Sequence, residues 1–324
     1  MGQGSVQVNA PLEKSGSWFV PGRPRNDMRT DCFRATVAIC IAFAGLSARG
    51  EEVPAESGSA LTANAGFASQ YVFRGLTQTD GKPAIQAGAD YARSSGIYLG
   101  TWLSNISWYG DQNAGTVSSP VALSSPGPLG PPYAANKANS ARLEWDLYGG
   151  YKHQFSERWS YDLGAIRYLY PGHFDNTGAY RKPDTTELYG AIGVGWLTIK
   201  YSKAISRYSF GTNESSGAGY LDFSANFPIL DSGVNLLLHA GRQTYPDRPN
   251  SGYFGNSGGN NSLYSYRDYK FGLTKEWEKF SFGAAWTHAN SRATAPDGQT
   301  TAYLNAFGKN IGGSRLALTI TKTF

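Results

Sequence analysis

The residues able to do covalent chemistry are few. The four histidines are His153, His173, His239 and His288. His288 follows Thr287 and precedes Asn290-Ser291, which sets a base beside hydroxyl groups at the end of a strand-like segment. That is the minimum for acyl transfer at the rim of a membrane-bound lipase or acyltransferase. A triad is defined by geometry, however, and adjacency in sequence does not supply it. No His-Glu-x-x-His zinc motif occurs. Asp175-Asn176 offers calcium only an unspecific pair of oxygen ligands. The two cysteines, Cys32 and Cys40, both fall in the N-terminal segment, so the rest of the chain has no thiol for catalysis, disulfides or metal binding. The expectation is a protein without catalytic, cofactor or metal residues. Its remaining chemistry is electrostatic, carried by charged side chains whose placement depends on the elements that present them.

Those elements alternate with a period of two. Leu61, Ala63, Ala65, Phe67, Tyr71 and Phe73 fall on one parity, and Asn64, Gly66, Gln70 and Arg74 on the other. This is the signature of a strand with one apolar and one polar face. Ile85, Ala87, Ala89 and Tyr91 repeat the pattern against Gln86, Gly88 and Asp90, after breaks at Gly75, Asp80-Gly81 and Pro83. Ser94-Ser95-Gly96 turns the chain, and Ile97 to Trp108 runs back. The alternation resumes at Ala141 and continues to Phe324, giving about twelve strands of roughly ten residues, the length that crosses a bilayer when tilted. Short turns alternate with long Gly/Pro/Ser/Asn-rich loops, of which Gly110 to Asn139 is the longest. No apolar run reaches the roughly 20 residues of a transmembrane helix. The fold class predicted is all-β: a closed antiparallel transmembrane β-barrel of about twelve strands, with short periplasmic turns and long extracellular loops.

Ala68 to Thr79, with the core Tyr71-Val72-Phe73-Arg74-Gly75-Leu76-Thr77-Gln78-Thr79, and the following Lys82 to Tyr91 resemble the opening hairpin of the TorF family of porins. Gly100 to Asn105 and the ending Thr321-Lys322-Thr323-Phe324 resemble that family as well. The likeness spans Ser59 to the C-terminus. It implies a bacterial outer-membrane barrel and a pore, with no substrate that can be carried over.

The N-terminal region reads separately. Residues 1–27 lack periodicity and are expected to be an upstream extension from a start codon placed too early. Residues 28–50 form a secretory signal peptide, with Met28-Arg29 and Arg34 as its basic end, Ala35 to Leu46 as its apolar core and Ala48-Arg49-Gly50 at the cleavage site. Residues 51–59 are a periplasmic lead, and residues 60–324 are the barrel. The chain holds 29 Lys and Arg against 24 Asp and Glu. Residues 1–50 account for six of the former and three of the latter, which leaves the remainder at about +2. With no basic run interleaved with aromatics, nucleic acid is not an expected partner.

The expected partners are the lipid bilayer with its lipopolysaccharide, a small hydrophilic solute, and the barrel assembly machinery. The final strand resembles the C-terminal signal read by that machinery: Leu316, Leu318, Ile320 and Phe324 share a face and the strand ends on Phe324. Lys322 departs from that signal, and its ammonium can reach headgroups at the rim.

With the apolar faces turned to lipid, the polar faces line the interior. That assigns Gln70, Arg74, Gln86, Asp90, Glu144, Asp146, Lys152, Glu187, Lys200, Asp222, Asn226, Asp268, Lys270 and Arg315 to the lumen. Charges of both signs there set the field a permeating solute crosses, or pair across a filled interior and hold it rigid. Tyr71, Phe73, Trp102, Trp108, Trp145, Trp159 and Trp286 are read as interfacial girdles, with a sugar-binding aromatic slide as the alternative. Arg167 shares the parity of Leu163 and Ala165, which calls for a bulge or an inward-facing upper half of its strand. The function expected is a passive channel for small hydrophilic solutes or ions. A plugged structural or adhesion barrel, and an outer-membrane lipid-modifying enzyme, are the alternatives.

Overall fold

The computed structural model describes residues 58–114, 141–172, 182–212, 214–248, 259–294, 301–305 and 307–324. The N-terminal extension, the signal peptide and most of the periplasmic lead lie outside these residues. So do most of the Gly110 to Asn139 loop and the stretch holding His173 and Asp175-Asn176.

Twelve antiparallel strands close into a barrel. The elements in order are β1 (Ser59–Ala68), β2 (Val72–Phe73), β3 (Leu76–Thr77), β4 (Ala84–Arg93), β5 (Ile97–Asn105), α1 (Trp108–Ala114), β6 (Leu143–Gln154) and β7 (Trp159–Leu169). There follow β8 (Thr185–Val194), β9 (Leu197–Ala204), β10 (Gly219–Ile229), β11 (Val234–Thr244), α2 (Asn260–Tyr264), β12 (Tyr266–Trp277), β13 (Phe280–Ala289) and β14 (Arg315–Thr323). Each wall strand pairs with its neighbour in sequence, and β14 pairs with β1 to close the ring. Closure leaves no strand edge unpaired, a condition for placing a sheet in hydrocarbon. β2 and β3 stand apart as a two-stranded sheet of their own.

The outer face follows from the alternation. On β14, Leu316, Leu318 and Ile320 are exposed; on β12, Tyr269, Phe271 and Leu273; on β8, Leu188 and Ile192. In water such a belt would be a large apolar patch. On a barrel it is the lipid-facing band of an outer-membrane protein. Aromatic rings thicken the band at its short-turn end, where Trp196 meets Phe227 edge-on at 5.6 Å and Trp159, Trp277 and Phe155 are exposed. Tight turns there demand special backbone. Gly96, at φ +92°, would place a Cβ 2.3 Å from the Lys152 carbonyl oxygen, so only glycine fits between β4 and β5.

Three sequence expectations are corrected. The first strand does not run on to Arg74: β1 ends at Ala68, and the next fifteen residues leave the wall. Tyr71, Phe73 and Trp102 are not girdle residues but buried, with Tyr71 and Trp102 in edge contact at 5.3 Å. Tyr71 and Phe73 lie inside because their segment leaves the wall, Trp102 because its indole serves an inward face as readily as an interface, and Trp108 packs on the same interior cluster. Arg167 needs no bulge. Its register with Leu147 and Thr186 is unbroken, and its half-exposed guanidinium points outward near the long-loop rim, donating to the Thr186 hydroxyl at 2.7 Å. Among the described residues of the 110–139 loop, the chain forms α1.

Candidate functional site: the barrel interior and its inserted hairpin

The connection between β1 and β4 folds into the barrel. Val72 pairs with Thr77 and Phe73 with Leu76, and Arg74-Gly75 forms a two-residue turn with φ of +46° and +76°. Two positive φ values in succession make the tight hairpin turn that suits twisted strands. Gly75 is doubly constrained: a Cβ there would lie 2.5 Å from the Asp268 Cβ and 2.8 Å from that of Ala289. The hairpin tip therefore touches the wall at β12 and β13, three and two strands round the ring from β1.

The hairpin is anchored on several sides. The Tyr71 hydroxyl donates to Glu144 on β6 at 2.8 Å. The Thr77 amide donates to the Ile311 carbonyl at 2.8 Å. The Gln78 carbonyl accepts from the amides of Ser107 and Trp108 at 2.8 and 3.0 Å, which fixes the start of α1. The strongest tie is at the tip. Both terminal nitrogens of Arg74 donate to Glu187 on β8, at 2.7 and 2.9 Å, and one donates also to Gln243 on β11 at 3.1 Å. The guanidinium lies 4.2 Å from the Tyr220 ring centroid and 4.9 Å from that of Phe73. Burial alone would lower its pKa; the Glu187 carboxylate more than offsets that and holds it above its usual range. A bidentate guanidinium–carboxylate fork is a strong, geometrically specific contact.

Below and beside the tip, carboxylates take tyrosine hydroxyls as partners. Tyr98 donates to Asp162 at 2.6 Å, Tyr148 to Asp90 at 2.6 Å and Tyr220 to Asp268 at 2.9 Å. Lys200 sits 3.9 Å from the centroid of Tyr189. His239, on β11, bridges the strands on either side of it: its Nε2 lies 2.9 Å from Asp268 on β12 and its Nδ1 3.4 Å from Asp222 on β10. The Ser224 hydroxyl is 3.0 Å from the same Nδ1. Serine, histidine and aspartate in that order suggest a hydrolase triad. The hydroxyl donates instead to Asp222 at 2.5 Å, and each imidazole nitrogen faces a carboxylate, so neither is free to take the serine proton. Asp146 is 0 % exposed, and neither of its carboxylate oxygens has a hydrogen-bond partner among the described residues.

The residues assigned from sequence fall into groups. Arg74 and Glu187 meet, with Glu144 tied to the same hairpin. Asp222 and Asp268 meet through His239. Gln70 donates to the Leu316 carbonyl at 2.9 Å and shares a narrow cleft with Lys270 beside β12–β14. Gln86 approaches Ser104 at 3.5 Å, and Arg315 donates to the Asn310 carbonyl at 2.7 Å. Lys152 and Asn226, on β6 and β10, are partly exposed nearer the short-turn end, where Lys152 acts electrostatically on Asp162. Sequence reading missed Gln243, the role of His239 and the tyrosine partners. The available signal was tyrosine sharing the parity of carboxylates, as Tyr148 does with Glu144 and Asp146. His288 stacks on Trp286 and lies 3.1 Å from the Ser314 hydroxyl, with no carboxylate bonded to it among the described residues. Nor do those residues group three or more His, Cys, Asp or Glu side chains to hold a metal.

The sequence has no match among proteins of curated function. Solved structures with a similar fold include the KdgM porin in complex with disordered oligogalacturonate, 6% identical with a TM-score of 0.43, covering 82% of this chain and 99% of that one. The COG4313 outer membrane channel from Pseudomonas putida F1 is 12% identical with a TM-score of 0.42, over 82% and 95% of the two chains. The outer membrane protein OprD from Pseudomonas aeruginosa is 13% identical with a TM-score of 0.35, over 83% and 65%. The architecture itself rests on the closed ladder and its lipid-facing belt. This closed outer-membrane barrel matches, over residues 52–324, the family described as "Bacterial protein of unknown function (Gcw_chp)", and the chain belongs to that family.

Proposed function

We propose that the barrel is a passive diffusion channel for small hydrophilic solutes, with its aperture set by the inserted hairpin. The observation that carries this reading is the inner face itself. It carries polar groups along its length between aromatic rings, and toward the short-turn end Asn64, Lys152, Asp162 and Asn226 are partly exposed. In this reading the lumen is lined by Gln70, Arg74, Asp90, Glu144, Asp146, Lys152, Glu187, Lys200, Asp222, Asp268, Lys270 and Arg315, and selectivity comes from width and mixed charge. Residues 28–50 act as the secretory leader, and the strand ending at Phe324 is handed to the barrel assembly machinery. The channel is of the TorF kind that the hairpin residues resemble.

The long-loop end faces the lipopolysaccharide. Arg242 and Arg267 support this: they are directly opposed on β11 and β12 near that end, both exposed on the outer face. Like charges so placed repel, and a phosphate-rich leaflet relieves them. The test is single-channel conductance of the chain from about Glu51, refolded into a planar bilayer, with selectivity read from the reversal potential. Discrete steps are expected. The bidentate Arg74–Glu187 fork favours a second reading, a barrel closed by its hairpin; that reading predicts a folded, heat-modifiable and silent protein that conducts once the hairpin is removed.

A further inference from the structure

A cavity lies above the hairpin at the long-loop end, distinct from the interior below it. The space it encloses, counted with the open solvent at its mouth, is about 740 Å³. Its floor is the hairpin, with Phe73 and Arg74; its walls are Phe210, Tyr245, Tyr264 and Tyr303 from four separate stretches of chain. We infer that this vestibule is a binding site for an uncharged, hydroxylated ring, the chemistry of a sugar.

Three observations select that class. First, Arg74 is the sole charged residue lining the cavity among the described residues, and Glu187 already matches it. An anion would find no free cation, and a cation would find no free carboxylate. Burial pushes the Tyr245 phenol up to about 12, so it stays neutral in any ordinary medium. Secondly, the walls are aromatic rings from different loops. The C–H faces of a pyranose are apolar and flat and pack against such rings, while its edge keeps hydroxyls in plane. Thirdly, the indole nitrogen of Trp108, which also lines the cavity, is buried and has no hydrogen-bond partner among the described residues. A buried donor left unpaired is costly. A hydroxylated ligand supplies the acceptor; a plain aromatic one does not.

Because the floor is the hairpin, an occupant touches the segment that sets the aperture. The inference does not require an open lumen, since a closed barrel presents the same vestibule. The experiment is isothermal titration of the full folded barrel in detergent with glucose and sucrose, with benzoate and gluconate as the aromatic and anionic comparisons. Saturable heat from glucose or sucrose is expected, and Trp108→Phe, which keeps the ring and removes the donor, should weaken it by about 3- to 10-fold. Heat-modifiable migration of the variant confirms that it has folded. No saturable heat from either sugar with folded protein overturns the inference. So does benzoate or gluconate binding in preference to the sugars, or equal sugar affinity in Trp108→Phe. Conductance is measured apart from these titrations, so a silent barrel that binds sucrose refutes the channel and leaves the vestibule.

Discussion

The two halves of the barrel interior are built from the same alternating strands and end up different. Toward the long loops the inner face is sealed: Glu144, Asp146, Glu187, Gln243 and Asp268 are almost wholly buried. Toward the short turns, inward-facing residues are partly exposed: Lys152 on β6 and Asn226 on β10. The strands do not make this difference. A fifteen-residue connection between β1 and β4 makes it by turning inward in the upper half only. A barrel wall of this kind supplies a polar tube, and one loop then decides where along its length the tube is narrow.

The comparison is broken most directly by removing the hairpin. Replacing Val72 to Thr77 with a short Gly/Ser link should raise single-channel conductance several-fold while the heat-modifiable fold persists. Unchanged conductance would mean that the constriction lies elsewhere. The next effect is on stability. Glu187→Gln strands the Arg74 guanidinium in a buried site and should cost about 3–5 kcal/mol in urea unfolding. The double variant with Arg74→Gln should recover much of this, a coupling that a double-mutant cycle reads directly. Gly75→Ala should cost about 1–3 kcal/mol, from a positive φ and a clash with Asp268, and should make the current fluctuate as the tip loses its seat. The smallest stability effect belongs to the open half. Lys152→Glu should change unfolding by less than about 1 kcal/mol yet shift the reversal potential toward cations. If Lys152→Glu destabilised as much as Glu187→Gln, the two halves would not be distinct.

What the sequence made legible follows from period two. Strand number, chain direction, the lipid face and the parity of the acidic residues were all readable, because an apolar belt and a polar interior impose the same rhythm on every strand. The hairpin was not readable by that means. Tyr71 and Phe73 keep the parity of Phe67, so the strand seems to continue through Ser69. The contrary signal was local: two β-formers, Val72-Phe73, then Arg74-Gly75, then Leu76-Thr77. An arginine is a poor marker for the first position of such a turn, where asparagine or aspartate is usual. Its conformation is held from outside by Glu187, a residue more than a hundred positions away. The tyrosine–carboxylate pairs were half legible, since parity shows who shares a face and not who touches.

The position of the hairpin also bears on how the molecule is made. It lies between the first two wall strands, yet its anchors are Glu187, Gln243 and Ile311, and the neighbouring Gln70 reaches Leu316. These contacts join the start of the barrel to its middle and end. Until β8, β11 and the approach to β14 are in place, Arg74 has no carboxylate and Thr77 no carbonyl to meet. Docking of the hairpin is therefore a late event, and the seal doubles as a record that the ring has closed.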